Sequence, residues 1–324
     1  MRPLLLAVSV IALTLMGILV WWLIVRGHCS YGTSDTFTQD DASPTFSGPQ
    51  SGRIPGSTPI PKVIRQIVRD KNNINPEIRK VMTKLRNDNP GWKYELYDVI
   101  DCQKYLKRYH PGRIEHAYNS INPDYGAGKS DLFRYVLMYD KGGAYFDDKS
   151  CAVKPLDQII RPDDEYILTH WPTRDWHEII GNERGEFQQW HIICRPQHPF
   201  LAAAIERVLN NIENYNMDRD GVGQKLLAVT GPIAYSLAIY PLTKTHYHRV
   251  AVDSEDIGLV FNGSLGGAHT HRSYSGRTHY SALTTPIIQD SYGENDFSDV
   301  HSAADHDAGA IAALDSLTSS VGEN

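Results

Sequence analysis

Hydrophobic and polar positions divide the 324-residue chain into four stretches. Residues 3–25, PLLLAVSVIALTLMGILVWWLIV, are apolar without a single charge. Roughly 20 helical residues cross a hydrocarbon core, so this run is long enough to span one. The apolar part of a cleavable leader is usually only about 7–15 residues. This run is longer and closes on Trp21, Trp22 and Arg26, residues suited to a membrane interface. It predicts an uncleaved signal anchor over 1–26 with its bulk on the far side of the membrane, a single-pass type II arrangement. Residues 27–59 are rich in Ser, Thr, Gly, Pro and Asp and lack apolar clusters, which predicts a flexible stem.

From residue 60 to about 290 the pattern is that of a folded domain. The run IPKVIRQIV (60–68) is apolar and β-branched, as a buried strand requires. Pro76 opens a helix whose Ile78, Val81, Met82 and Leu85 share one face. KYELYD (93–98) alternates like a strand, and a helix is predicted over 99–109. Residues 129–139 read as a helix, stopped by Gly142 and Gly143, and AYFDD follows as a short strand with its acids at the carboxyl end. Further strands are predicted at 165–170, 189–195 and 248–253, and a helix at 199–214. Strands alternating with helices imply an α/β fold with a mostly parallel sheet flanked by helices. Ligands of such sheets bind beyond the strand carboxyl ends.

Charge sharpens the boundaries. The formal charge is −6, yet eight acids and no Lys or Arg lie from Asp290 onward, leaving the rest at about +2. Residues 291–324 therefore read as an acidic disordered tail, and the middle is too weakly basic for nucleic acid. Cys29, Cys102, Cys151 and Cys194 show no zinc spacing; they allow three disulfide pairings, or buried free thiols. Asn262-Gly263-Ser264 is a glycosylation acceptor triplet.

The chemistry converges on one stretch. Asp131 and Arg134 are spaced to share a helix face, and the next strand ends in Asp147, Asp148 and Lys149. A surface ion pair, a helix cap and a solvated turn would be the ordinary reading of each feature alone.

In order, GKSDLFRYVLMYDKGGAYFDDKSCAVKPLD (128–157) resembles the signature of glycosyltransferase family 32, which includes fungal Golgi mannosyltransferases. The matching positions are Ser130, Asp131, Arg134, Tyr135, Gly142, Gly143, Tyr145, Asp147, Pro155, Leu156 and Asp157. IPKVIRQI (60–67) and NPGWKYELYD (89–98) are similar to earlier family elements, with Arg65 where His is usual and Tyr97 where Trp is usual. QQWHIICRPQHPFL (188–201) and VTGPIA (229–234) echo later ones. The resemblance implies a GT-A-like domain that transfers a hexose, mannose favoured, from a nucleotide-diphosphate sugar to a glycan, glycolipid or glycoprotein acceptor with retained configuration. It implies Asp131, Arg134, Tyr145 and Asp147 as donor-binding residues, with Asp147 also helping to hold Mn²⁺ or Mg²⁺ on the diphosphate. It also implies a Golgi or other secretory membrane, with the catalytic domain lumenal and the anchor in lipid.

Lys149 stands where the family's second motif Asp holds the metal. A protonated Lys cannot ligate. Asp148 then supplies the missing oxygen, or Lys149 itself neutralises the diphosphate and makes the metal dispensable, or the site is a catalytically silent carbohydrate or sugar-nucleotide binding module. His271 is a candidate metal ligand, His269 lies two residues away, and His279 is a candidate for closing the donor site, against the ordinary reading of all three as loop histidines. Trp171, Trp176 and Trp190 are candidates for a sugar-stacking floor or for the core. A glycoside hydrolase built on Asp147 and Asp148 is disfavoured, because adjacent strand residues face opposite sides.

Overall fold

The computed structural model describes residues 59–262 and 278–289, with the backbone of Phe46–Ser47. The anchor run, Cys29, nearly all of the stem, His269, His271 and the acidic end lie outside the described residues. The nine strands described are β1 (Phe46–Ser47), β2 (Val63–Ile67), β3 (Lys93–Tyr97), β4 (Gly143–Phe146), β5 (Cys151–Ala152), β6 (Tyr166–Thr169), β7 (His191–Cys194), β8 (Arg249–Ala251) and β9 (Leu259–Val260). One seven-stranded sheet has the order β1-β8-β6-β7-β4-β2-β3, and β5 pairs with β9 apart from it. Strands β2, β3, β4, β6 and β8 all run one way, while β7 and β1 run against them. The mostly parallel α/β sheet is as the sequence predicts. The reversal of β7 is new, and it carries a consequence. Its amino-terminal end meets the carboxyl ends of β4 and β6 at one sheet edge.

Six helices of eight residues or more flank the sheet among the described residues: α1 (Pro76–Asn87), α2 (Val99–Tyr109), α3 (Arg113–Ser120), α4 (Gly126–Lys141), α5 (Pro199–Glu213) and α6 (Pro232–Ile239). Local chemistry sets their starts. Asn75 caps α1 by accepting from the Glu77 N–H at 2.9 Å, with Pro76 in the first turn. Asp98 and Asp101 form a reciprocal capping box on α2. Helix α6 escapes sequence reading because Ile233, Ala234, Tyr235, Ser236 and Ile239 are all buried, so no amphipathic stripe marks it.

Two cores lie on the two faces of the sheet, and strand periodicity divides the residues between them. Tyr145 belongs with α4 and α5 on one face, whereas Ala144 and Phe146 belong with α1 on the other. Ile192 and Cys194 likewise join the first core and Ile193 the second. Cys102, Cys151 and Cys194 are free buried thiols, which closes the disulfide alternative for these three. The helical run Gly223–Lys244 has a mean hydropathy of 1.4 and half of that window is buried; its apolar residues Leu226, Val229, Ala234, Tyr235 and Ile239 serve the core. Asn262 of the acceptor triplet is 4% exposed, and Gly263 and Ser264 lie outside the described residues.

The turn from α4 into β4 fixes the site. Gly143 has φ +98°, and a Cβ there would come within 2.6 Å of the Val63 carbonyl. Only glycine lets β4 enter beside β2 at that spacing. Arg65, where the family pattern has His, braces the same turn from β2: its guanidinium donates to the Gly142 carbonyl and to Glu95 Oε2 at 3.0 Å.

Candidate functional site

Helix α4 brings Asp131 and Arg134 to the sheet edge on consecutive turns, and β4 delivers Asp147 to the same place. Arg134 Nη2 lies 3.2 Å from Asp131 Oδ1, and its Nη1 lies 3.2 Å from Asp147 Oδ1. The guanidinium therefore bridges the two carboxylates, while its Nη1 also donates to the Gln189 carbonyl at 3.1 Å. Its plane sits over the Tyr145 ring, 5.0 Å from the centroid, and the Tyr145 hydroxyl donates to Asp147 Oδ1 at 2.8 Å. Asp131 and Arg134 are each 5% exposed; this is no solvated surface pair. Such a group needs full hydrogen bonding, and Asp131 has it: Oδ1 accepts from Gln189 Nε2 at 3.1 Å and Oδ2 from Thr230 Oγ1 at 2.9 Å.

Burial nonetheless raises the Asp131 carboxyl to about 6, against the pull of Arg134, Thr230 and Gln189. Asp148 is likewise raised to about 6, chiefly by desolvation, with Lys149 opposing. Asp147 keeps 30% of its side chain exposed, so unlike the buried Asp131 it is open to a ligand. Its backbone is held too, with N–H to the Trp190 carbonyl at 2.8 Å and C=O to Gln66 Nε2 at 3.1 Å.

The predicted residues Asp131, Arg134, Tyr145 and Asp147 thus form one contiguous network. Lys149 is buried, 7% exposed, beside Asp148. The predicted metal set fares differently. Asp147 Oδ1 is already shared by Tyr145 and Arg134, His271 lies outside the described residues, and no trio of His, Cys, Asp or Glu suited to a metal occurs among those described. With an ammonium in the third motif position, the residues present do not fit the two-carboxylate metal clamp that the resemblance implies.

His279 caps the turn Tyr280–Ala282 by accepting from the Ser281 N–H, and its Nδ1 meets Ser281 Oγ at 2.7 Å. Burial, then the charges of Asp131 and Glu186, push the phenol of the neighbouring Tyr280 up to about 12. Trp190 is 3% exposed and belongs to the core, which removes it from a sugar floor. Trp171 is half-buried, edge-on to Phe261 at 5.3 Å, and Trp176 is exposed on the loop beyond. Gln66, Gln189, Thr230 and Tyr280 escape residue-by-residue sequence reading. QQWH and VTGPIA mark two of them as segments, but no spacing rule brings residue 189 or 230 to residue 131.

Comparison with known proteins finds similarity over the same stretch of the chain. Residues 66–166 match a family model described as a glycosyltransferase sugar-binding region containing a DXD motif. The chain is 28% identical over 177 residues to an initiation-specific alpha-1,6-mannosyltransferase of Candida albicans, covering 47% of this chain and 43% of that protein. It is 23% identical over 220 residues to the Schizosaccharomyces pombe protein of the same name, covering 62% of this chain and 53% of that protein. It is 26% identical over 241 residues to inositol phosphoceramide mannosyltransferase 1 of the same yeast, covering 70% of this chain and 69% of that protein. The chain spans about half the length of the first two relatives. Among solved structures, PaToxG glycosyltransferase matches with a TM-score of 0.43 and 16% identity, covering 58% of this chain and 70% of that one.

Proposed function

We propose that this family 32-like glycosyltransferase moves a hexose, with mannose favoured, from a nucleotide-diphosphate sugar to a glycan, glycolipid or glycoprotein acceptor. One observation carries the reading: Asp131, Arg134 and Asp147 meet at the carboxyl edge of the sheet, the first two buried and Asp147 partly open. Carboxylates accept from vicinal sugar hydroxyls, and a planar guanidinium donates to anionic oxygen. In this reading Asp131 and Asp147 hold donor hydroxyls, and Arg134 fixes both carboxylates while presenting positive charge to the donor.

Lys149 takes the place of the second motif carboxylate and answers the charge of the diphosphate as a point charge. As the bond from the anomeric carbon to the diphosphate oxygen breaks, its electron pair leaves with the diphosphate, where preorganised positive charge is most effective. The acceptor hydroxyl forms the new bond on the same face, and its proton passes to the departing oxygen, so configuration is retained. The alternative, a silent sugar-nucleotide or carbohydrate binder, rests on the same substitution of Lys149. The uncharged run 3–25 supports a type II protein of a secretory membrane, and the family resemblance puts the Golgi first, with the sugar-transfer domain (60–290) lumenal.

The experiment is release of nucleoside diphosphate from a panel of GDP- and UDP-sugars by the full chain in detergent, with Mn²⁺ or with EDTA. Turnover of one donor that survives EDTA is the expected result. Turnover abolished by EDTA would mean a metal held through Asp148 and overturn the role of Lys149. Donor binding without turnover would establish the silent module.

A further inference from the structure

The edge that carries the donor residues continues along the start of β7 into a segment that the donor network does not use. Because β7 runs against β4 and β6, residues 186–190 lie beside the carboxyl ends of both. Glu186 sits there, 6% exposed. Its backbone is fixed on both sides: its N–H donates to the Asp175 carbonyl at 3.0 Å, and its carbonyl accepts from His170 Nδ1 at 3.1 Å. Gly185, with φ +76°, makes the approach possible, since a Cβ there would strike the backbone of Arg174 and Asp175. The Trp171 indole stands near the Glu186 carboxyl and opposes the rise that burial causes. The carboxyl's Oε2 is buried and has no hydrogen-bond partner among the described residues.

A buried carboxyl oxygen without a donor costs free energy that a folded protein ordinarily avoids. Here the shortfall lies next to the proposed donor pocket. Three residues on, Gln189 of the same segment donates to Asp131 Oδ1 at 3.1 Å, and the Tyr280 phenol feels the charges of both Asp131 and Glu186. Aromatic faces and a hydrogen-bond acceptor are what a pyranose needs from a protein: apolar C–H surface against a ring, and an oxygen for a hydroxyl. Trp171 and Tyr280 supply the first, and Glu186 the second.

We infer that Glu186, with Trp171 and Tyr280, forms the acceptor subsite, and that its Oε2 accepts a hydrogen bond from a hydroxyl of the incoming sugar other than the one that attacks. The inference rests on the transferase reading above. Glu186 holds and orients the acceptor, and the proton of the attacking hydroxyl still leaves with the diphosphate oxygen. A site built to pair with a substrate hydroxyl loses most when that pairing is removed.

The test uses the full chain in detergent, the donor that it turns over, and methyl glycosides of mannose, glucose and galactose as acceptor probes. Transfer to glycoside and hydrolysis of donor to water are measured side by side. Assayed at pH 8, above the value of about 7 to which burial raises the Glu186 carboxyl, Glu186→Gln should raise the acceptor KM about tenfold, the usual scale for a hydrogen bond to a charged group, while donor KM and the hydrolysis rate stay within about twofold. Glu186→Asp, which keeps the charge, should recover part of the acceptor affinity if the amide variant folds poorly. An unchanged acceptor KM overturns the acceptor role, as does a wild type that hydrolyses donor but transfers to none of the glycosides. A parallel loss of donor hydrolysis in both variants overturns it as well, by making Glu186 a donor or structural residue. A wild type that neither binds nor hydrolyses any donor overturns the transferase reading itself, and the acceptor role with it.

Discussion

Gln189 donates from Nε2 to Asp131 Oδ1 at 3.1 Å across 58 residues of sequence. Its other amide atom, Oε1, accepts from the Tyr135 hydroxyl at 2.5 Å. One side chain thus ties β7 to two turns of α4, and the reversal of β7 is what brings it there.

Gln189→Leu should therefore damage both stability and donor binding. It removes one hydrogen bond from Asp131 Oδ1, which keeps Arg134, and one from the Tyr135 hydroxyl, which keeps the Thr230 carbonyl, at about 1–3 kcal/mol for the two together. Urea unfolding should show a loss of that order. Donor titration by calorimetry should show affinity falling by about tenfold or more.

Arg134→Lys keeps the charge but not the fork that spans Asp131, Asp147 and the Gln189 carbonyl. Transfer should fall by about a hundredfold or more, the scale of a lost preorganised hydrogen-bond donor, with the fold retained by circular dichroism. Arg134→Ala leaves Asp131 buried without its cation, and unfolding should show a loss of about 3–5 kcal/mol.

Two carboxyls, Asp131 and Asp148, bind protons near pH 6 in the folded chain. Both sit above their unfolded value of 3.8, so the native state holds more protons between pH 3.8 and about 6. Their contribution to stability accordingly declines as pH rises through that window and is level above it. Donor binding runs the other way, because hydroxyl recognition by Asp131 needs the ionised form. Affinity should drop as pH falls below about 6, and Asp131→Asn should bind weakly with that limb flattened. A donor titration from pH 5 to 8 checks both.

Lys149→Asp restores the carboxylate of the family pattern. Activity should become strongly dependent on Mn²⁺, measured as the ratio of donor turnover with Mn²⁺ to that with EDTA. An unchanged ratio would remove Lys149 from any role in answering the diphosphate charge.

Gly143→Ala places a Cβ against the Val63 carbonyl at a positive φ. Backbone strain of this kind costs on the order of 1–3 kcal/mol, and the midpoint of urea unfolding should move down accordingly.

Much of this was written locally. The face of α1, the cap of α2, the glycine turn before β4 and the pairing of Asp131 with Arg134 all follow from residues within a turn or two of one another. Periodicity, capping and spacing act over that range, so the α/β class was legible from the residues and the candidate chemistry could be drawn to 131–149. The sequence could not show α6, which is apolar on every side, or settle disulfides from cysteine counts. Nor did it show that β7 runs backwards, because strand direction depends on where the chain returns to the sheet. That return joined Gln189 and Thr230 to Asp131, placed Glu186 at the same edge and drew Trp190 into the core. Contacts across 50 to 100 residues are decided by packing, and only the tertiary structure could decide them.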